Sequence, residues 1–341
     1  MRYGQSQKLE IIRLVENSKL PVKTALKELG IRRSTFYDWY RKYQQSGYDG
    51  LGYSYKAPRQ FWNQIPETER MRVVETALDK PELTPRELAF HITDTQGYYI
   101  SESSVYRILK VHDLVTSPAF RVISASDKFI HPTTRVNQMW QTDFTYLKVE
   151  QWGYYFLSTI MDDFSRYIVT WELCQKASSE DVKRSVEQAI KITGVSHVEI
   201  VNRPRLLSDN GSCYLSKDLG EYLASHGIGQ VHGKPYHPQT QGKIERYHRS
   251  LKNIVELDKY WMPDELRDQI GAFVDYYNNH RYHESLENLT PADVYYGRGA
   301  TILEKRERIK RETLRRRRRI YTRFIKKEAN LKRLANAESV S

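Results

Sequence analysis

The chain has 341 residues, enough for two or three domains, and its formal net charge is +12 with 28% charged residues. This positive balance favours a polyanionic partner. Cys174 and Cys213 are the only cysteines, which excludes a disulfide framework and a Cys-x-x-Cys zinc site, and the lack of a signal peptide or an apolar run of membrane-spanning length predicts no membrane association.

Residues 1–46 are predicted to form a helix-turn-helix DNA-binding domain. Leu9, Ile12 and Val15 recur at helical spacing, and a turn at Gly30 precedes a third helix. The positions where that helix would meet a DNA groove are Arg32, Arg33, Ser34, Thr35 and Tyr37. The alternative is a small helical bundle that binds nothing, because helix-turn-helix signals in single sequences are often false.

A second helix-turn-helix domain is predicted over residues 66–114, after a linker with glycines and a proline at 47–65. Thr84-Pro85-Arg86-Glu87 starts a helix with a capping threonine, and Ser101 is expected to cap the next helix. The candidates for DNA contact on that helix are Ser103, Ser104 and Arg107. A polar segment at 115–136 is predicted to be a second linker.

Residues 137–298 have the element order of an α/β core. Strands are predicted near 139–149, 154–162 and 166–173, then a helix over 179–193, a short strand before Asp209, a helix near 215–226 and a strand near 228–232. Three antiparallel strands followed by alternating helices and strands is the order of a ribonuclease-H-like fold with a mixed five-stranded sheet. Residues 263–298 are predicted to extend that core.

Three carboxylates are the candidate catalytic and metal-binding residues. Asp143 lies within the first strand, Asp209 follows the short apolar strand, and Glu245 lies near the start of a helix. Such hard oxygen donors suit Mg²⁺ or Mn²⁺, and two ions flanking one phosphate activate the attacking oxygen and stabilise the leaving one. A lone acid is usually a solvated surface carboxylate, so the prediction rests on the three together.

This pattern resembles the catalytic core of the DDE enzymes, the superfamily of retroviral integrases and bacterial insertion-sequence transposases. The resemblance rests on Asp209-Asn-Gly, on Tyr236-His-Pro-Gln-Thr-Gln-Gly leading to the third acid, and on Lys252 seven residues after Glu245. It implies a polynucleotidyl transferase that cuts and joins DNA, in which the three acids hold two divalent ions and Lys252 contacts the transposon end.

The helix that carries Glu245 is expected to present three functional residues together. Glu245, Arg249 and Lys252 share one face of a helix starting near Gln239, which directs the acid to the metal and the two basic residues to DNA phosphate. The resemblance also places near DNA a segment that contains Tyr236, Gln239, Gln241 and Lys243, and Lys243 is a candidate for DNA contact. His237 is expected either to shape the loop or to touch DNA.

Other residues that could carry chemistry are expected to be structural. Asp162 and Asp163 fall in a predicted hairpin turn, where aspartates cap backbone groups. Cys213 has no evident base partner, which indicates a small buried residue rather than a nucleophile. The residues expected in the core or the sheet, rather than as base-stacking platforms, are Trp140, Trp152 and Trp171.

Residues 299–341 are predicted to be a basic tail, helical or disordered. Residues 301–341 contain 15 Lys or Arg against 5 Glu, and apolar residues are sparse, so weak order is expected without a partner. Arg315, Arg316 and Arg317 are candidates for sequence-independent phosphate contact. A solvated charged helix and a nuclear localisation signal are the alternatives.

Together these features predict a DNA transposase that binds double-stranded DNA at transposon ends and at a target. A homo-oligomer is expected because two ends must be brought together, and a cytoplasmic, nucleoid-associated location is expected if the source is bacterial. The alternatives are a non-catalytic DNA-binding regulator derived from a transposase and a structure-selective ribonuclease-H-like nuclease. The intact acid triad argues against the regulator, and the tandem DNA-reading units argue against the nuclease.

Overall fold

The computed structural model describes residues 3–18, 20–52, 61–115, 132–232 and 241–338, with side chains described up to residue 331. The chain divides into two compact units, Met1–Gln64 and Ile65–Ser341. Within the described ranges, no helix has the length and apolar character needed to cross a membrane.

The first unit is a three-helix domain, as predicted. Its helices are α1 (Gln5–Glu16), α2 (Val22–Glu28) and α3 (Arg33–Ser46). Ile12, Leu26 and Phe36, one from each helix, are buried in a shared core, because an amphipathic helix gains free energy by covering its apolar face. Gly30 adopts a positive φ of 67° at the turn before α3, a conformation that glycine reaches without strain.

This unit continues past its predicted boundary at residue 46. A 3₁₀ turn, Gly47–Leu51, leads back to the core, where Leu51 is buried. The Nζ of the buried Lys8 donates a hydrogen bond to the carbonyl oxygen of Leu51 at 3.0 Å. The start of the predicted linker is therefore part of the folded domain.

The second unit begins with three more helices, α4 (Glu67–Asp79), α5 (Pro85–Gln96) and α6 (Glu102–Val111). Thr84 and Glu87 form the predicted capping box, in which the Thr84 amide donates to Glu87 Oε2 at 2.9 Å. Ser101 stands at the N-cap of α6, but its side chain makes no capping hydrogen bond and instead lies 2.9 Å from the Ser104 hydroxyl.

A five-stranded mixed sheet follows, which confirms the predicted α/β core. Its strands are β1 (Met139–Val149), β2 (Gly153–Asp162), β3 (Ile168–Cys174), β4 (Arg205–Ser208) and β5 (Gly229–His232), arranged in the order β3-β2-β1-β4-β5. β1, β2 and β3 are antiparallel neighbours, whereas β4 runs parallel to β1 and β5 runs parallel to β4. The topology is that of the predicted ribonuclease-H-like order.

Helices cover both faces of this sheet. On one face lie α7 (Ser179–Thr193) and α8 (Lys217–Ser225), which pack with Trp140 and Ile160. On the other lie α9 (Gly242–Val255) and α10 (Pro263–Asn279), which pack with Leu147 and Leu157. Side chains of a strand point alternately to the two faces, so each strand contributes to both cores.

The C-terminal segment is an ordered helix, so the expectation of weak order is wrong for the part that packs. A short helix α11 (Pro291–Tyr295) precedes α12 (Gly299–Glu338). Arg306 of α12 is buried against α5: its Nε and Nη2 donate to the two carboxylate oxygens of Asp94 at 2.8 and 2.6 Å. The Nη1 and Nη2 of Arg306 also donate to the carbonyl oxygens of Glu287 and Asn288. The clasp formed by Arg306 and Asp94 therefore joins α12, the second helical domain and the core extension.

Arg317 makes a second contact of this kind. Its side chain is buried, its Nε donates to the Tyr98 hydroxyl at 2.8 Å and its Nη2 donates to the Tyr99 carbonyl at 2.9 Å. The prediction that Arg317 contacts DNA is therefore wrong, because its donors bind the second helical domain. Arg315 and Arg316 stay exposed on α12.

Candidate active site

The register of two parallel strands places the first two acids. Met139, Trp140 and Gln141 of β1 pair with Arg205, Leu206 and Leu207 of β4. Asp143 and Asp209 each lie two residues beyond the last pair, Asp143 within β1 and Asp209 just after the end of β4, so the two acids are side by side. Parallel neighbouring strands lie ~4.8 Å apart, which accounts for the approach of residues so distant in sequence.

The turn after β4 holds the carboxylate of Asp209. Its Oδ1 accepts a hydrogen bond from the Gly211 amide at 2.8 Å. A Cβ on Gly211 would lie 2.9 Å from that same oxygen, so any larger residue would displace the carboxylate. The Asp209-Asn-Gly turn therefore shapes the position of the acid, as the sequence predicted.

Glu245 enters from α9 and is electrostatically coupled to Asp143. Partial burial raises the pKa of Glu245, and the negative charge of Asp143 raises it further, whereas Arg249 and Arg246 oppose the shift. Repulsion between neighbouring carboxylates has this sign. Asp143 is thus close enough to affect the ionisation of Glu245 although their strand and helix are separate elements.

The convergence of the acids is incomplete. Among the described residues, no group of three His, Cys, Asp or Glu side chains is close enough to hold a metal ion. Asp143 and Asp209 are neighbours across β1 and β4, and the charge of Asp143 raises the pKa of Glu245. The three carboxylates do not, however, form the single close group that was predicted.

His248 is a site residue that the sequence analysis missed. It is buried on α9, its Nδ1 lies 3.4 Å from Asp143 Oδ2, and its Nε2 lies 3.4 Å from the Thr159 hydroxyl. It follows Glu245 by three residues, a spacing that places two side chains on one side of a helix. This i, i+3 spacing from Glu245 is the feature of the sequence that could have predicted His248 as a site residue, because it places the imidazole on the side of α9 that faces Asp143.

Lys243 holds α9 against the sheet, so its predicted contact with DNA is wrong. Its Nζ lies 2.7 Å from Asp163 Oδ2 and donates to the Asp163 carbonyl at 2.9 Å, with side-chain exposures of 8% for Lys243 and 2% for Asp163. Gln141 donates to the other carboxylate oxygen of Asp163 and accepts from the Ile244 amide. This buried network fixes the start of α9, and with it Glu245, to β1 and β2.

Asp162 has the structural role that was predicted beside Asp163. It is fully buried and accepts hydrogen bonds from the amides of Asn137 and Ser165 and from the Ser165 hydroxyl. Burial raises the pKa of Asp162 despite these donors. The carboxylate oxygens of Asp162 thus bind donors at the turn after β2 and at Asn137, and those of Asp163 bind Gln141 and Lys243, as expected of structural residues.

We expect Lys243→Ala to unfold the second unit more easily rather than to weaken DNA binding selectively. The substitution leaves the buried Asp163 carboxylate without its counter-charge, a defect that costs ~3–5 kcal/mol. Thermal unfolding measures the effect, and Lys217→Ala, an exposed lysine on α8, is the matched control. If the melting temperature is unchanged and DNA binding is weaker, Lys243 contacts DNA, as the sequence predicted.

The basic residues on α9 lie where a ligand can reach them. Arg249 is exposed, and the Lys252 side chain is 26% exposed with its Nζ 4.0 Å from the ring centroid of Tyr146 and 4.0 Å from Glu256 Oε1. Both stay candidates for DNA contact. His237, Tyr236 and Gln239 lie outside the described residues, whereas Gln241 is buried at the N-cap of α9.

Most of the helix-turn-helix candidates are exposed to solvent. Residues Arg32, Arg33, Ser34 and Tyr37 are exposed and Thr35 is half-buried at the start of α3. On α6, Ser103 and Arg107 are exposed and Ser104 is half-buried, and Arg107 Nε donates to the Ser103 carbonyl at 3.0 Å. Contact of these residues with DNA stays a prediction.

The remaining expectations have mixed outcomes. Cys213 is half-buried near the acids, and burial together with the charge of Asp209 raises its thiol pKa, which is the opposite of what a nucleophile needs.

Trp140 is fully buried and Trp171 packs partly buried against the core. Trp152 lies in the turn between β1 and β2 and is 56% exposed, so its assignment to the core or sheet is wrong.

Comparisons with known families match both parts of the chain. Two integrase core domain models match residues 133–238 and 226–291. Two homeodomain-like domain models match residues 4–52 and 35–109. The matched core region contains all three candidate acids, and the matched N-terminal regions contain the recognition candidates on α3 and α6.

Curated relatives include two bacterial transposases. The transposase for transposon Tn552 of Staphylococcus aureus is 24% identical over 271 residues, which are 73% of this chain and 56% of that protein. The putative transposase InsK for IS150 of Escherichia coli is 28% identical over 149 residues, 43% of this chain and 50% of that protein. The chain thus spans about half the length of each. The Gag-Pol polyprotein of Rous sarcoma virus is 31% identical over 121 residues, 35% of this chain and 7% of the polyprotein.

Solved structures with similarity include retroviral integrases. The HTLV-2 integrase catalytic core domain in complex with magnesium aligns with a TM-score of 0.38 at 22% identity, over 47% of this chain and 97% of that one. A simian T-cell lymphotropic virus intasome in complex with a PP2A regulatory subunit aligns with a TM-score of 0.41 at 18% identity, over 65% and 74%. The N-terminal part of the chain is therefore similar to homeodomain-like domains and its central part to integrase core domains, and its sequence is similar to the Tn552 and IS150 transposases and to a retroviral Gag-Pol polyprotein.

Proposed function

We propose that the chain is a DNA transposase that cleaves the 3′ ends of a transposon and joins them to target DNA. The observation that carries the proposal is the geometry of the acids: the parallel register of β1 and β4 places Asp143 beside Asp209, and the charge of Asp143 raises the pKa of Glu245 on α9. The homology to two transposases supports the same activity. A regulator that only binds DNA needs none of these acids.

The three carboxylates fit divalent cations by their chemistry. Asp143, Asp209 and Glu245 supply hard oxygen donors of the kind that Mg²⁺ and Mn²⁺ prefer, and the raised pKa of Glu245 is the electrostatic strain that a cation relieves. Two bound ions would activate an attacking oxygen and stabilise a leaving one. We propose that Asp143 and Asp209 hold or share the ions and that Glu245 completes the second site.

The residues around the acids position them for that task. His248 borders the carboxylate of Asp143, the Gly211 amide holds that of Asp209, and the Lys243–Asp163 pair fixes the start of the helix that carries Glu245. A site whose ligands are held by neighbouring groups loses little free energy in reorganising when it binds.

DNA binding is proposed for four surfaces of the described chain. Arg33 and its neighbours on α3 and Arg107 with its neighbours on α6 would read the transposon ends. Arg249 and Lys252 would hold the phosphates next to the acids, and the exposed arginines of α12 would bind DNA without sequence preference. Because two ends must meet, the active form is proposed to be a homo-oligomer.

The proposal is tested by a strand-transfer assay with purified protein, Mg²⁺ or Mn²⁺, and labelled DNA from the borders of its own gene. Metal-dependent nicking at a border, followed by joining of the freed 3′ end to a second duplex, is the expected result. Border binding without cleavage in either metal would favour the regulator. Cleavage that depends on DNA structure rather than on border sequence would favour the nuclease.

The exposed arginines of α12 should set part of the salt dependence of binding. We expect replacement of Arg315, Arg316 and Arg319 by Gln to flatten the slope of log K against log salt, by up to ~0.9 for each phosphate contact that is lost. Substitution is preferable to truncation, because removal of α12 would also remove the buried Arg306 and Arg317.

Binding to a random-sequence duplex between low and moderate salt measures that slope. The control carries Lys217→Gln and Arg267→Gln, two exposed basic residues outside the proposed surfaces. If the arginine variant and the control give the same slope as the unaltered protein, α12 does not bind DNA through these side chains.

A further inference from the structure

The hairpin formed by β1 and β2 extends beyond the rest of the sheet. β4 pairs with β1 only as far as Gln141, and β3 pairs with β2 only from Phe156 onward. Among the described strands, the end of the hairpin is therefore a two-stranded ribbon that neither β3 nor β4 extends. α9 and α10 bury one face of it, including Leu147 and Tyr155, whereas the described residues leave the opposite face open.

Two tyrosines occupy this open face. Tyr146 of β1 and Tyr154 of β2 are 57% and 59% exposed, and their ring centroids lie 5.7 Å apart with planes at 84°. The Nζ of Lys252 lies 4.0 Å from the centroid of Tyr146. Exposed aromatic rings offer π-faces on which nucleobases can stack. The cation beside the ring indicates that the ligand includes a negative charge.

The pair of tyrosines lies at a definite distance from the acids. Tyr146 follows Asp143 by three residues on a strand, which is ~10 Å. Lys252 follows Glu245 by seven residues on a helix, which is also ~10 Å. Asp143 faces α9 and Tyr146 faces the opposite side of the sheet, so the side chain of Lys252 reaches past the edge of β1 from α9 to meet the ring of Tyr146.

We propose that Tyr146 and Tyr154 form a stacking platform for an unpaired nucleobase at the end of the DNA substrate, with Lys252 on an adjacent phosphate. The inference rests on the proposed function for the identity of the substrate as DNA. A separation of ~10 Å corresponds to about three nucleotides along one strand, so the base on the platform belongs to the last few positions next to the cleaved phosphate.

An unpaired base fits this surface better than an intact duplex does. A base inside a duplex is stacked on both faces, so a tyrosine ring cannot reach it, whereas a frayed or single-stranded base exposes a π-face to any aromatic side chain. Lys252 covers part of Tyr146, yet more than half of each tyrosine remains open. The platform would hold the end of the substrate open while the acids act on the neighbouring phosphate.

The test uses the full chain, a chelator to prevent cutting, and two DNA probes of one sequence. One probe is a blunt duplex, and the other has a short single-stranded 3′ end that contains 2-aminopurine, whose fluorescence falls when it stacks. The unaltered protein and Tyr146→Phe are expected to quench the probe and to bind the single-stranded end more tightly than the blunt end. Tyr146→Ala and Tyr154→Ala are expected to bind the single-stranded end about 10-fold more weakly and to leave blunt-end binding within about twofold.

The outcomes separate this inference from the proposed function. If the unaltered protein binds both probes equally and without quenching, or if the Ala variants lose affinity for both probes alike, the platform is refuted while DNA binding stands. If the unaltered protein binds neither probe, the proposed function fails together with it. Thermal unfolding of the Ala variants is expected to match the unaltered protein because both side chains are mostly exposed.

Discussion

Asp209→Asn is expected to abolish cleavage and joining while the protein still binds border DNA. The amide cannot supply the negative charge that a divalent cation needs, and we expect the rate to fall at least ~1,000-fold, which corresponds to roughly 4 kcal/mol of activation free energy. Asp143→Asn and Glu245→Gln should behave in the same way. The measurement is the rate of metal-dependent nicking of a labelled border duplex, with binding followed separately.

The matched control is Asp264→Asn, which removes an acid at the start of α10 that is 82% exposed and pairs with Arg267. Its nicking rate should be unchanged, since exposed ion pairs contribute little. Normal cutting by any of the three active-site variants would show that the acid concerned is misassigned. Loss of border binding would instead indicate that the variant protein is misfolded.

A stability measurement provides an independent check on Glu245. Its folded-state pKa is raised by burial and by Asp143, so the folded protein holds that proton more tightly than the unfolded chain. Stability from this group is therefore present at low pH and is lost as the pH rises from the ordinary glutamate pKa through the raised one. At neutral pH the ionised Glu245 therefore lowers the stability of the folded protein. Glu245→Gln removes this charge, so the melting temperature at neutral pH should not fall.

Arg306→Ala should strongly reduce the stability of the second unit, by about as much as Lys243→Ala. The substitution leaves the Asp94 carboxylate without the two donors of its clasp and the carbonyls of Glu287 and Asn288 without a partner at Arg306. Breaking a buried ion pair in this way costs ~3–5 kcal/mol. Cation–π contacts with Phe90 and Tyr282, at 4.8 and 5.7 Å, are lost as well.

Limited proteolysis and thermal unfolding of the full chain measure this effect. The variant should expose α12 to cleavage and melt at a lower temperature, whereas Arg308→Ala, two residues away on the exposed side of α12, should not. Equal protease resistance of both variants would mean that the clasp contributes little. The affinity for a random-sequence duplex should stay nearly unchanged, because the donors of Arg306 bind other residues of the protein and do not face solvent.

Features that depend on local sequence were predictable. The cap at Thr84, the turns at Gly30 and Asp209, and the alternation of β1 each follow from the conformational preferences of a few neighbouring residues. The identity of the acids was also predictable, because Asp209-Asn-Gly and the spacing of Glu245 and Lys252 are properties of short segments.

The failures concern side chains whose environment is set by distant residues. Lys243 and Arg317 look like exposed basic residues in sequence, yet one is buried against Asp163 and the other against Tyr98. Trp152 looks like a core residue, yet it lies in a turn that nothing among the described residues covers. Hydrophobicity and charge predict average burial, but they do not reveal which face of a helix or turn a distant element will cover.

The sequence by itself determined the order of helices and strands, the three acids and the excess of positive charge, because each is a property of a residue or of a short segment. Only the tertiary structure decided that Asp143 and Asp209 emerge side by side, since that depends on the parallel register of β1 and β4. It also decided that α12 packs on the second helical domain through Arg306 and Arg317. Both outcomes depend on contacts between residues far apart in the chain. These contacts contribute free energy only when the chain is folded, so no short segment of the sequence predicts them.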